Sequence, residues 1–130
     1  MKYIVFGKPF INLNQKKEIL KTLESGWIGS GPKTQLLEDK FKKYKNIKYS
    51  SAVNSCTAAL HLSLNALNLK SDDEVIVPAM TFCSTVNAII HSGATPVLAD
   101  VDYLSGNITA ETIQKKITKK TKAVVLVHLA

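Results

Sequence analysis

The chain has 130 residues, of which 45% are hydrophobic and 21% are charged, so it can form one globular domain or part of one. Its formal net charge is +7, but all seventeen basic residues are lysine, and the absence of arginine argues against a nucleic-acid partner because arginine is favoured for reading bases and clamping phosphates. No segment is apolar and long enough to span a bilayer and no secretory cleavage pattern is present, so we expect a cytoplasmic protein that does not bind membranes.

The first predicted helix follows an extended lead-in over residues 1–11. Asn12 can cap this helix, with Asn14 as the alternative, and Gln15 stands three positions after Asn12 as in a capping box. Gly26 is placed to end the helix. The predicted apolar stripe consists of Ile19, Leu20 and Leu23.

A glycine-rich segment, GWIGSGPKT over residues 26–34, comes next. It is not a Walker loop, because Pro32 separates the glycine from the lysine, and it is not a dinucleotide loop, because Thr34 stands where a third glycine is needed. Two interpretations stay open: a connector whose Trp27 packs on the core, or a loop that closes over a ligand. Thr34 is predicted to cap the following helix.

Residues 49–65 predict a strand, a polar turn and an apolar helix. The strand is Tyr49–Val53, Asn54 or Ser55 can cap the helix, and the helix from Cys56 onward is apolar on most faces, which predicts burial. The free N–H groups of such a helix start attract anions, phosphate above all. The candidate phosphate-binding residues are Ser55, Cys56, Thr57 and Ala58. The alternative is an ordinary N-cap on a core helix.

Three further apolar strands are predicted over residues 74–79, 95–101 and 122–129. One intervening helix runs to His91 and is ended by Gly93; the other is capped by Thr109 and carries Ile113 and Ile117. Nearly continuous Val, Ile and Leu in strands that alternate with helices predicts an α/β fold in three layers with a mostly parallel sheet. Ligands of such sheets bind beyond the carboxyl ends of the strands.

Six segments in unbroken order resemble the DegT/DnrJ/EryC1/StrS family of nucleotide-sugar aminotransferases. They are Gly26–Pro32, Asn54–Leu60, Asp73–Asn87, Gly93–Asp102, Ile108–Ile117 and Ala123–Leu129. The resemblance implies the fold-type I fold of enzymes that use pyridoxal 5′-phosphate (PLP). Residues 1–48 would form a lead-in and helices near the substrate loop, and residues 49–130 the first part of the PLP-binding large domain. Members of the family transfer an amino group from glutamate to a keto nucleotide-sugar, typically in polysaccharide or glycan synthesis.

The resemblance also implies roles for particular residues. Cys56, Thr57 and Ala58 match the turn that holds the cofactor phosphate, and Phe82 matches the aromatic residue that stacks on the pyridine ring. The segment from Trp27 to Ser30 matches a loop near the sugar substrate.

Two catalytic groups of the family have no match in these residues. The lysine that forms a Schiff base with PLP and the acid that pairs with the pyridinium nitrogen both lie beyond position 130 in the family, and no catalytic or metal-binding residue is assigned here. The sequence also stops at Ala130, directly after a predicted buried strand. We therefore expect the first part of a longer protein, inactive by itself, that forms a homodimer when complete.

Three other hypotheses stay open. Asp100 and Asp102 follow a strand and could hold a divalent metal in a sugar-nucleotide glycosyltransferase, although two surface aspartates are the simpler interpretation. Cys56 and Cys83 each lie near a helix start, which would favour a reactive thiol. The product could also be a truncated protein without catalytic function.

Overall fold

The computed structural model describes residues 7–129. They form two compact units, of which the first ends at Ala52 and the second begins at Val53. The predicted division after residue 48 stays a prediction, and most of the predicted lead-in, residues 1–6, lies outside the described part. No helix within residues 7–129 combines the length and the hydropathy needed to cross a membrane.

The first unit contains helices α1 (Leu13–Glu24) and α2 (Pro32–Lys45). The predicted capping box is confirmed: the Asn12 side chain accepts the Gln15 N–H at 2.9 Å, and the Gln15 side chain accepts the Asn12 N–H at 2.7 Å. Gly26 follows α1 with φ +68°, a conformation that glycine adopts without steric cost.

The predicted cap at Thr34 is wrong, because α2 begins at Pro32 with Gly31 as its N-cap residue, three residues before Thr34. Proline favours the first helical position, where its fixed φ suits the helix and its missing N–H would be unpaired anyway. Asn46 then ends α2 in the left-handed conformation, with φ 52°.

The second unit contains three helices and a parallel sheet. In chain order they are α3 (Cys56–Asn65), β1 (Glu74–Pro78), α4 (Cys83–His91), β2 (Thr95–Ala99), α5 (Ala110–Gln114) and β3 (Thr121–Val124). The strand order is β2-β1-β3, and both pairings are parallel, with Ile76 opposite Val97 on one side and Val124 on the other. The predicted α/β fold with a parallel sheet is confirmed.

The central strand β1 is buried on both faces. Val75 and Val77 belong to a cluster with residues of α3 and α4, and Ile76 between them, which points to the opposite face, is also fully buried. This explains why residues 75–78 of β1 are all apolar. The other buried members of the cluster are Leu64, Ala88, Ile89 and Ala94.

Further local predictions differ from the structure. Residues 49–53 form no strand in the described chain, and the Ala52 N–H donates instead to the Glu38 carboxylate at 2.8 Å. Helix α3 is not buried on most faces: Leu64 is its only buried residue, and Leu62 is 55% exposed. Helix α5 is one short turn that ends at Gln114, so Ile117 lies outside it.

Candidate functional site

A cavity of about 530 Å³ opens at the carboxyl ends of β1 and β3. The chain runs from β1 through α4 to β2 on one side of β1, and later reaches β3 on the other side. The direction in which successive strands are added to the sheet therefore reverses between β1 and β3. Ligands of open α/β sheets bind at such a topological switch point. The cavity is lined by Cys56, Thr57, Leu60, Thr81, Phe82, Ser84, Thr85, Val125, Leu126 and Val127.

The first turn of α3 supplies one wall of the cavity. Ser55 is the N-cap as predicted, and its hydroxyl oxygen accepts the Ala58 N–H at 3.1 Å. The N–H groups of Cys56 and Thr57 find no acceptor among residues 7–129, as is normal for the start of a helix. Of the four predicted phosphate-binding residues, Cys56 and Thr57 line the cavity, whereas Ser55 and Ala58 are paired with each other.

Phe82 supplies a second wall, directly after β1. It is the N-cap residue of α4, and its backbone is extended, with φ −70° and ψ 142°. Phe82 is 75% exposed and borders the cavity, so its ring is accessible to a ligand. A flat π surface in this position is suited to stacking on another aromatic ring.

The predicted substrate-loop residues lie in the first unit. Trp27 is 57% exposed, and its ring packs directly on the backbone of Gly31, where no side chain would fit. It lines a separate depression of about 390 Å³ with Pro32, Lys33 and neighbouring residues of α1. Ser30 is exposed and does not line this depression.

The metal-binding alternative finds no support. The Asp102 carboxylate accepts the N–H and the hydroxyl of Ser105, both at 2.9 Å, which lowers its pKa and shows that it stabilises a turn. The Asp100 carboxylate accepts the adjacent Val101 N–H. Nowhere in the described part of the chain do three or more metal-ligating side chains come together.

The thiol hypothesis also lacks a partner base. Cys56 and Cys83 are exposed free cysteines. His61 is hydrogen-bonded to the Asn65 side chain at 3.2 Å, and its ring is tilted by 55° to the ring of His91, with 6.0 Å between the ring centroids. No histidine lines the cavity that Cys56 borders.

Several lining residues were not predicted from the sequence. Thr81 and Thr85 share a hydroxyl–hydroxyl hydrogen bond of 2.8 Å beside Phe82. Their spacing of four residues at the start of a helix was the available signal. The sequence predicts that residues 125–127 belong to the last strand, but β3 ends at Val124 and these residues line the cavity instead.

Comparisons with known proteins agree with this architecture. Residues 9–130 match the model of the DegT/DnrJ/EryC1/StrS aminotransferase family. The chain is 46% identical over 126 residues to the spore coat polysaccharide biosynthesis protein SpsC of Bacillus subtilis (strain 168), covering 97% of this chain and 32% of SpsC. It therefore spans about a third of the length of the relatives that it matches.

Solved structures show the same fold. Spr1654 from Streptococcus pneumoniae in its PMP form is 40% identical with a TM-score of 0.87, covering 97% of this chain and 32% of that chain. Its PLP form gives a TM-score of 0.84. E. coli GDP-4-keto-6-deoxy-D-mannose-3-dehydratase with bound hydrated PLP is 28% identical with a TM-score of 0.83, covering 92% of this chain and 32% of that chain. The chain belongs to the DegT/DnrJ/EryC1/StrS aminotransferase family.

Proposed function

We propose that the cavity at the carboxyl ends of β1 and β3 binds PLP, and that the protein is an aminotransferase acting on a keto nucleotide-sugar with glutamate as amino donor. The observation that carries the proposal is the cavity itself, which is bordered both by the start of α3 and by the exposed Phe82 ring. It lies at the switch point of the sheet. Family membership supports the reaction type. The name of SpsC supports a place in polysaccharide biosynthesis, and that of the E. coli dehydratase supports a nucleotide-sugar substrate.

The residues present fit the phosphate end of PLP. The Cys56 and Thr57 N–H groups at the start of α3 are free to donate, and the positive end of the helix dipole favours an anion there. The Thr57 hydroxyl can add a donor from the same turn. Ser55 and Ala58 would support this turn through their own hydrogen bond.

The residues also fit the ring end of PLP. Phe82 borders the same cavity and offers its exposed face for stacking on the pyridine ring. The apolar side chains of Val125 and Leu126 would exclude water from the opposite part of the cavity. When bound, PLP supplies an electron sink for the carbanion formed at the amino-bearing carbon.

The remaining catalytic groups are expected from residues beyond position 130. No lysine of residues 7–129 lines the cavity, and neither does a carboxylate. Residues 1–130 alone should therefore move no proton and show no amino transfer. Trp27 and Ser30 stay candidates for sugar contacts, and a homodimeric full-length protein and a cytoplasmic location stay predictions from the sequence.

The test is a titration of the full-length protein with PLP, followed by the visible absorbance of the bound cofactor. We expect saturable binding, and amino transfer from glutamate to a keto nucleotide-sugar, detected by mass spectrometry of the sugar product. A full-length protein that is folded but gives no saturable absorbance change would overturn the proposal.

A further inference from the structure

Thr85 is the one buried polar side chain in the described chain, with 4% of its surface exposed. A buried hydroxyl without a partner is costly, so such groups are almost always hydrogen-bonded. The partner of Thr85 is the hydroxyl of Thr81, at 2.8 Å. Both residues border the cavity, yet neither has a place in the proposed cofactor contacts.

Thr81 and Thr85 lie on either side of Phe82 in the sequence, and their hydroxyls meet. Thr81 immediately precedes Phe82, and the Thr85 N–H donates to the Phe82 carbonyl at 3.0 Å. The bond between the two hydroxyls therefore links the residue before Phe82 to the residue three positions after it. Just before this turn, the Ala79 N–H donates to the Ala99 carbonyl at 2.8 Å and fixes the chain where it leaves β1.

Within residues 7–129, burial does not orient the Phe82 side chain, because three quarters of its surface is open. The backbone that carries Phe82 sets the direction of its Cα–Cβ bond and limits the χ1 rotamers that the ring can adopt. Helix α4 has no side-chain cap at Phe82, so the Thr81–Thr85 bond is the side-chain contact that holds this turn. An exposed stacking ring that keeps one direction loses less entropy on binding.

We propose that Thr85, through its hydrogen bond to Thr81, is a positioning residue that holds Phe82 in the orientation for stacking on the cofactor. This inference rests on the proposed function only for the identity of the stacked ring. The orientation of Phe82 itself can be measured without any ligand.

The chain offers a matched control in α5. Thr112 occupies the third helical position of α5, as Thr85 does in α4, and its hydroxyl donates to the Thr109 carbonyl at 3.1 Å. Thr112 does not line the cavity. Thr112→Val therefore removes a half-buried hydroxyl, which also accepts the Thr109 N–H, at the same helix position and away from Phe82.

The experiment compares the full-length wild type with Thr85→Val, Thr85→Ser and Thr112→Val. Each protein carries 4-fluorophenylalanine at position 82 for ¹⁹F NMR without PLP, and each is titrated with PLP by visible circular dichroism. We expect Thr85→Val to shift or broaden the ¹⁹F resonance and to weaken PLP binding roughly twofold to tenfold, because a Phe82 side chain that is free in the unbound protein must then be immobilised on binding. Thr85→Ser and Thr112→Val should stay within about twofold of the wild type, since they keep the Thr81–Thr85 bond.

A Thr85→Val protein with wild-type resonance and affinity would overturn the inference. So would a Thr85→Ser protein as impaired as Thr85→Val, because the methyl group and not the hydroxyl would then matter. If Thr85→Val does not fold, Thr81→Val breaks the same bond from its less buried end and must give the same changes. A wild type that binds no PLP would defeat the proposed function, while the ¹⁹F comparison would still decide the role of Thr85.

Discussion

Thr57 and Phe82 border the same cavity, although most of helix α3 and the whole of strand β1 separate them in the chain. Thr57 lies in the first turn of α3, and Phe82 immediately precedes α4. The cavity thus has hydrogen-bond donors on one wall and an open aromatic face on another. An aromatic ring that carries a phosphate needs both, which is why this pair is the centre of the proposed PLP site.

Replacing Thr57 by valine should weaken PLP binding while leaving the fold intact. Valine keeps the shape of the side chain and removes the hydroxyl that can donate to a phosphate. A hydrogen bond to a charged group contributes about 1.5–3 kcal/mol, so we expect a loss of roughly tenfold to a hundredfold in affinity by PLP titration. Ser63→Ala, an exposed position on the same helix, is the control and should change nothing. Equal losses in both variants would mean that the hydroxyl of Thr57 has no special role.

Replacing Phe82 by leucine should weaken PLP binding without destabilising the protein. Aromatic stacking is worth about 0.5–1.5 kcal/mol beyond burial, which corresponds to a loss of roughly twofold to tenfold. Because Phe82 is exposed, the free energy of unfolding should change by less than about 0.5 kcal/mol. Phe82→Tyr keeps the ring and should retain the affinity; an affinity as low as that of Phe82→Leu would contradict stacking.

Local signals in the sequence predicted much of this structure. The Asn12–Gln15 capping box, the Ser55 cap and the Thr109 cap all form as predicted, because each depends only on residues within one helical turn. The buried strand β1 was also predictable, since its continuous apolar run is required by burial on both faces.

Features that depend on distant residues were not predictable in the same way. Tyr49–Val53 has the composition of a strand, but a strand needs a neighbour, and Glu38 takes the Ala52 N–H instead. The apolar composition of α3 predicts burial, but burial depends on what packs against each face of the helix, and Leu64 is the one buried residue of α3. The spacing of four residues between Thr81 and Thr85 is a weak signal by itself, because only the turn at the start of α4 brings the two hydroxyls within hydrogen-bond distance.

The ionisation of Glu18 should depend on Lys33 more than on Lys21. Hydrogen bonds from Lys33 and then Lys21 lower the pKa of Glu18 from 4.5 to about 2. Because the pKa is lowered on folding, any stabilisation from this ion pair is complete above pH 4.5 and is lost as the pH falls toward 2. We expect carboxyl NMR titration to show a larger upward pKa shift in Lys33→Gln than in Lys21→Gln. The reverse order, or an ordinary pKa in the wild type, would contradict the geometry.

Shortening Ile89 should destabilise the second unit in a graded way. Ile89 is fully buried against β1 and α3 residues. Removal of one methyl group in Ile89→Val should cost about 0.5–1.5 kcal/mol, and Ile89→Ala should cost about 2–5 kcal/mol. Urea unfolding of the full-length variants measures both values. Costs below 0.5 kcal/mol for both, on the same scale as exposed substitutions, would mean that α4 does not form the core described here.

A protein that consists of residues 1–130 alone should show no amino transfer. The described cavity wall contains donors, a ring and apolar side chains, but no lysine that could move a proton. An assay with glutamate and a keto nucleotide-sugar, run beside the full-length protein, tests this. Turnover by residues 1–130 after removal of contaminating transaminases would show that a catalytic base lies within them.

The most direct test of the proposed site is a crystal structure of the full-length protein with PLP bound. We predict that the cofactor phosphate accepts hydrogen bonds from the N–H groups of Cys56 and Thr57 at the start of α3, and that the pyridine ring stacks on Phe82. Cofactor density at another position, with this cavity filled only by water, would contradict the account.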